Sequence, residues 1–415
     1  MLKLKSQWLA LVSGAALLAG PVFAQDSGPL LDLLVRKGLV SDQEAEELRA
    51  ELAREAHAGV VSSVSGGKST TNLSISARIQ AQYAGLSTDI DGAAADPAST
   101  SHFFLRRVYL GLKANLVKDW SANLNYDFAG STFDAAFVQW KRSDAFVLDL
   151  GFRKAPIGLD EWYTSSSNLR AIERSPVTRY FVESNNGRRL GAGSYRTGVF
   201  LGGKADNGVF YNVAVTNPER DESSLGVAGI GNSTNNNLAY WANIGYKGKA
   251  GEVAYTLGAS AGFLPDQGGT VVGAGDDLTV YNVFAEIARG GFNLQAEYYG
   301  SQNENGVSPT VDASSWGFSV MPSLKLSDPF ELVARYSYVD SDGRGVNLSD
   351  GIRSAPGGGT MDKMEEWFLG FNYYISGNDV KLQGGYLYGK SKDTPAGGTA
   401  KAETQGLRSM VQVAF

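Results

Sequence analysis

The chain has 415 residues, with 37 Lys and Arg against 43 Asp and Glu, for a formal net charge of -6. It has no Cys and only two histidines, His57 and His102. Disulfides, thiolate metal sites and iron–sulfur clusters are therefore excluded, and histidine-dependent catalysis is poorly supplied.

Residues 1–24 begin with Lys3 and Lys5, continue through an apolar stretch from Trp8 to Ala19, and close on Val22 and Ala24. This pattern predicts a secretory signal cleaved after Ala24. The apolar run is shorter than the ~20 residues a spanning helix needs. Cleavage leaves 35 basic against 43 acidic residues. Residues 25–58 predict a short helical periplasmic segment, in which Ser41 and Glu44 form a capping-box pair ahead of Ala45, Leu48 and Leu52. It reads either as a solvated tail or as a docking element for a cell-wall or periplasmic partner. The Gly- and Ser-rich stretch 59–71 predicts a flexible linker.

From residue 72 the hydrophobic period becomes two. Leu73, Ile75, Ala77, Ile79, Ala81 and Tyr83 alternate with Ser74, Ser76, Arg78, Gln80 and Gln82. Trp120, Ala122, Leu124, Tyr126 and Phe128 alternate with Ser121, Asn123, Asn125 and Asp127 in the same way. Such alternation gives each strand one apolar and one polar face. Strands are predicted at 72–86, 102–115, 119–129, 132–142, 144–154, 193–204, 207–217, 238–248, 251–264, 279–289, 291–301, 313–326, 330–341, 363–375, 378–390 and 403–415. Most run to ten residues or more, as tilted strands crossing a bilayer require, whereas strands of soluble sandwiches are usually ~5–6 residues long. Tight turns alternate with long Gly-, Asp-, Ser- and Asn-rich connections, as expected for short periplasmic turns and longer external loops. Residues 72–415 therefore predict an all-β fold, a 16-stranded antiparallel transmembrane β-barrel set in outer-membrane lipid. A barrel of that size encloses water.

The longest predicted connection, about 155–192, is expected to fold inward and narrow the pore. Arg153 to Arg196 hold eight basic residues, Arg153, Lys154, Arg170, Arg174, Arg179, Arg188, Arg189 and Arg196, against Asp160, Glu161, Glu173 and Glu183. Rings of Arg and Lys in a confined opening favour anions. The candidate pore residues are Arg106, Arg107, Arg153, Lys154, Arg170, Arg174 and Arg179. The alternative for each arginine is an ion pair with Glu173, Glu183 or another acid that holds the loop to the wall. Adjacent Arg106 and Arg107 cannot both face the lumen of a regular strand. One of them must sit at the rim, at a bulge or in a subunit contact.

The segments Phe-Leu-Arg-Arg-Val-Tyr-Leu-Gly (104–111), Lys-Asp-Trp-Ser-Ala-Asn-Leu-Asn-Tyr-Asp-Phe (118–128), Phe-Asp-Ala-Ala-Phe-Val (133–138), Leu-Asp-Leu-Gly-Phe-Arg-Lys-Ala-Pro-Ile-Gly-Leu-Asp-Glu (148–161) and Thr-Ser-Ser-Ser-Asn-Leu-Arg-Ala-Ile-Glu-Arg-Ser (164–175) resemble the phosphate-selective porins O and P. The resemblance is strongest over about 100–190. It implies a homotrimeric 16-stranded channel with a constriction loop and arginines that pass small anions, phosphate or polyphosphate among them. By motif position it implies roles for Arg106, Arg107 and Arg174. The phosphate-specific members carry a lysine near the Thr-Ser-Ser segment, where residues 164–168 hold none.

Two other functions compete. An outer-membrane enzyme would need a general base, and His102 has no readable partner motif. A cation-tolerant porin would use its N-terminal helix as a tether to the cell wall. Asp340 with Asp342, and Asp89 with Asp91, offer spaced oxygens for Ca²⁺ but complete no loop pattern. No cofactor, catalytic residue, metal-ligand set or nucleic-acid partner is expected.

Overall fold

In the computed structural model, residues 70–218, 237–265, 276–392 and 401–415 are described. The expected signal, the helical segment and all but the end of the linker lie outside the described residues. Strand β1 (Thr70–Ile90) begins inside the stretch read as linker. It is followed by β2 (Thr100–Leu116), β3 (Trp120–Asp127), β4 (Thr132–Ser143), β5 (Phe146–Lys154), β6 (Tyr195–Lys204), β7 (Val209–Thr216), β8 (Ala239–Ala250) and β9 (Val253–Leu264). Then come β10 (Leu278–Arg289), β11 (Phe292–Ser308), β12 (Val311–Ala313), β13 (Trp316–Lys325), β14 (Phe330–Asp340), β15 (Lys363–Ser376), β16 (Val380–Lys392) and β17 (Lys401–Ala414). The three-residue β12 only extends the β11–β13 hairpin, so 16 strands form the wall.

Each wall strand pairs antiparallel with its neighbours in sequence, and β17 pairs with β1 from Arg78↔Ala414 to Ile90↔Ala402. The sheet is therefore a closed barrel without edges, which lipid requires because it cannot satisfy free backbone groups. Several hairpins turn through single left-handed glycines, such as Gly290 (φ +56°) between β10 and β11.

The two faces follow from the period of two. Along β15, Trp367, Leu369, Phe371 and Tyr373 point outward, with Leu369 67% exposed, while inward Glu366 is 2% exposed. The wall is apolar outside, and inside it is polar except where the inward loops pack on it. Aromatic groups sit near both strand ends: Trp120, Trp140 and Phe146 at one, and Tyr298, Trp316 and Tyr338 at the other. This is the placement of interfacial girdles.

The lumen is partly filled. The β5–β6 connection lies inside the barrel, with a six-residue π-helical turn at Gly158–Tyr163 and helix α1 (Pro176–Val182), all of whose residues are buried. Ser175 caps α1, its hydroxyl accepting from the Thr178 N–H at 3.1 Å, and Pro176 presets the first turn. The β14–β15 connection also turns inward and forms α2 (Leu348–Gly351). Ile157, Ile172, Tyr180, Phe181 and Leu190 of the first loop pack with Val346, Leu348 and Ile352 of the second and with Trp241, Val280 and Tyr299 of the wall. The apolar core thus lies within the barrel, between the loops and the wall from β6 round to β17 and β1.

Candidate functional site

Strand β2 carries both adjacent arginines inward. Gln80 pairs with Arg107 and Ala81 with Leu105, so Arg106 is an extra residue without a cross-strand partner. This β-bulge re-aims one side chain, and it places Arg106 and Arg107 in the same cavity. Arg106 Nε lies 2.7 Å from Glu173 Oε1, whereas Arg107 Nη1 donates to Gln80 Oε1 at 2.7 Å.

The inward loop brings its own charges to that cavity. Lys154 at the end of β5 lies 3.0 Å from Glu161, which also pairs with Arg174. Glu173 is approached by Arg106, by Arg353 at 3.5 Å and by Arg408 of β17 at 3.9 Å. Glu183 is approached by Arg179 at 3.1 Å, Arg189 at 3.2 Å and Arg353 at 2.7 Å. Three carboxylates therefore serve seven cations. Burial alone would push these carboxyls up. The cations beside them instead hold Glu161 (Arg174, Lys154), Glu173 (Arg106, Arg353) and Glu183 (Arg179, Arg353) below the ordinary carboxylate value.

The cavity has a volume of about 240 Å³. It lies between β2–β4 and the two inward loops, and its lining has six basic side chains (Arg106, Arg107, Lys154, Arg174, Arg189, Arg353) and four acidic ones (Asp127, Asp134, Glu161, Glu183). Four of the seven sequence-predicted residues meet here: Arg106, Arg107, Lys154 and Arg174. The other three do not line it. Arg153 pairs with Asp149 and sits over the rings of Phe137 and Phe200. Arg170 bridges Glu286 at 3.0 Å and Glu331 at 3.2 Å on β10 and β14. Arg179 reaches the cavity only through Glu183. These three residues hold the loop or the wall together.

Sequence reasoning missed Arg353, Arg408, Asp127 and Asp134. Arg353 depends on a second inward loop, for which one local signal existed. Asn347 and Asp350 form a reciprocal capping box at α2, and the Asn347-Leu-Ser segment carries it. The spaced aspartates read as Ca²⁺ ligands serve other partners: Asp340 pairs with Lys363 at 3.4 Å, and Asp342 accepts the Ser314 N–H at 2.7 Å. Among the described residues no cluster of three acids or histidines could hold a metal. His102 is exposed, its ring 5.1 Å from that of Phe104.

A closed 16-stranded barrel, apolar outside and partly filled by an inward loop, defines an outer-membrane porin. The chain matches the family of phosphate-selective porins O and P over residues 74–415 and belongs to that family, whose place is the bacterial outer membrane. No curated protein sequence matches it. Among solved structures it is similar to the outer-membrane channel DcaP of Acinetobacter baumannii, with 14% identity, a TM-score of 0.53 and coverage of 85% of this chain and 99% of that one. It is also similar to Pseudomonas putida OprB (9%, TM-score 0.55, 83% and 94%) and to the trimer form of Vibrio cholerae OmpT (14%, TM-score 0.50, 83% and 99%). At these identities the likeness is one of fold. Family and fold together point to a channel rather than an enzyme.

Proposed function

We propose that this porin is a water-filled diffusion channel for small anions, with its preference set by the cations gathered around the β5–β6 loop. The observation that carries the reading is the sharing of Glu161, Glu173 and Glu183 among seven cations, which leaves positive charge in a confined space. Phosphate is the candidate solute that the family description supplies. We read the functional unit as a homotrimer, the assembly named for V. cholerae OmpT, and native mass measurement tests this.

The test of the channel reading is the reversal potential in a planar bilayer under a salt gradient. Chloride preference is expected, and potassium preference would overturn the reading. Arg174→Glu and the more accessible Arg189→Glu should each lower the chloride-to-potassium ratio severalfold. If neither changes it, these arginines do not set the preference. Adding phosphate to the chloride solution should reduce the current if the site binds phosphate.

A further inference from the structure

The arginines account for only one sign of charge in the cavity. Asp127 ends β3 and is 8% exposed, and its Oδ1 accepts the N–H groups of Val108 at 3.0 Å and Ala129 at 3.1 Å. Asp134 on β4 accepts from the Tyr109 hydroxyl at 2.9 Å, from Asn125 Nδ2 at 3.1 Å and from the Tyr195 hydroxyl. All of these donors are neutral. Among the described residues neither aspartate forms an ion pair with a Lys or Arg, although Lys154 is near enough to Asp134 to feel its charge and cations crowd the same cavity. The wall is also bent to present one of them. Asn125 pairs with Ala135 and Tyr126 with Phe133, so Asp134 is an extra residue at a second β-bulge. Two bulges thus deliver one arginine, Arg106, and one aspartate, Asp134, into one space.

A cavity that selected only for negative charge would gain from neutral residues at both positions, because a carboxylate without a cation repels an anion and is costly to bury. We infer that the cavity takes small anions that also carry an ammonium group, the anionic end meeting the arginines and the ammonium meeting Asp127 and Asp134. A hydroxyl would need only a neutral acceptor, whereas an ammonium uses the charge. This inference rests on the cavity being the conducting constriction and names the solute class for it.

The experiment uses the full-length channel in planar bilayers and compares block of chloride current by aspartate, succinate and malate. The three are four-carbon dicarboxylates that differ by an ammonium, a hydrogen or a hydroxyl at one carbon. Aspartate should reach half-block at a concentration severalfold below that of succinate, despite its smaller net charge, and malate should fall with succinate. Asp134→Asn keeps the size and an acceptor oxygen; it should erase the aspartate advantage and strengthen chloride preference. Asp127→Asn, on a different strand, gives a second and independent reading of the same effect. Succinate blocking as well as aspartate, malate matching aspartate, or an unchanged ratio in both variants would overturn the inference. If wild-type chloride preference holds in any of those cases, the anion channel stands and only the solute class fails. Potassium preference in the wild type would sink both.

Discussion

Arg106 enters the lumen because β2 has one residue more than β1 needs, and single-residue geometry decides several other features of the pore. Gly158 is the clearest. It opens the π-helical turn at φ +83°, and the next N–H, that of Leu159, donates to Glu297 Oε1 at 2.5 Å, docking the loop on β11. A Cβ at Gly158 would fall inside the van der Waals reach of Tyr299 Oη and Glu297 Oε1. Gly158→Ala therefore combines a left-handed backbone cost of ~1–2 kcal/mol with a direct clash. The expected result is an undocked loop, seen as raised single-channel conductance and faster proteolysis within 155–194. Adding Tyr299→Phe should recover part of the loss, and equal behaviour of Gly158→Ala and wild type would refute this account. At this scale the sequence was partly legible. Residue type, local charge and the family resemblance pointed to Arg106, Arg107, Lys154 and Arg174, and these four line one cavity. The inward placement of Asp134 was hidden, because an alternating pattern does not reveal which residue a strand will bulge. Arg107 and Arg353 likewise owe their roles to partners far away in sequence.

At the scale of elements, strands and loops were unequally readable. Every predicted wall strand has a counterpart, with bounds within about four residues except for β11, which runs on to Ser308, since period two, turn glycines and length all agree there. The loops follow no period. Their positions come from buried contacts made after the barrel closes, so the inward fold of 341–362 left only the capping pair Asn347 and Asp350 as a trace. That loop is clasped to the first. Arg188 Nε donates to Asp350 Oδ2 at 2.6 Å, Asn186 Nδ2 to Oδ1 at 2.7 Å, and the Asn347 N–H to Oδ2 at 2.8 Å. Burial would push the Asp350 carboxyl up, but the bonds from Arg188, Asn347 and Asn186 bring it below its ordinary value. A carboxyl lowered by folding adds stability above its unfolded value, ~3.9 for Asp, and loses it as pH falls through the folded value. Glu173 and Glu183 act in the same sense. The conductance change that comes from losing this clasp should therefore be absent from pH 7 to about 5 and appear only below about 4, as the clasp protonates. Asp350→Asn should show the loosened conductance already at neutral pH. A midpoint near pH 6 in the wild type would assign the change to other groups.

For the whole molecule, the net charge of -6 says little about the pore, because a total does not show which acids and bases the fold brings together in the lumen. Hydrophobicity is likewise a matter of placement. A modest apolar fraction is what a shell must show when every second residue faces lipid and the others face water or inward loops. The outer face therefore tolerates charge according to depth rather than according to neighbours. On β10, outward Val283 is 51% exposed at mid-strand, and outward Thr279 lies near the strand's first residue. Arg at the bilayer midplane costs ~2–4 kcal/mol, against ~0–1 kcal/mol near an interface. Val283→Arg should thus lower the urea midpoint for folding into lipid vesicles well beyond Thr279→Arg, although both sites are exposed and neither variant touches the lumen. Chloride preference should be unaltered in both, because the substituted side chains stand outside the wall. Equal destabilisation at the two depths would mean that this band does not meet the bilayer core. A shift in ion preference from Val283→Arg would mean that the outer and inner faces are not independent, and the separation of membrane fit from pore chemistry would fail with it.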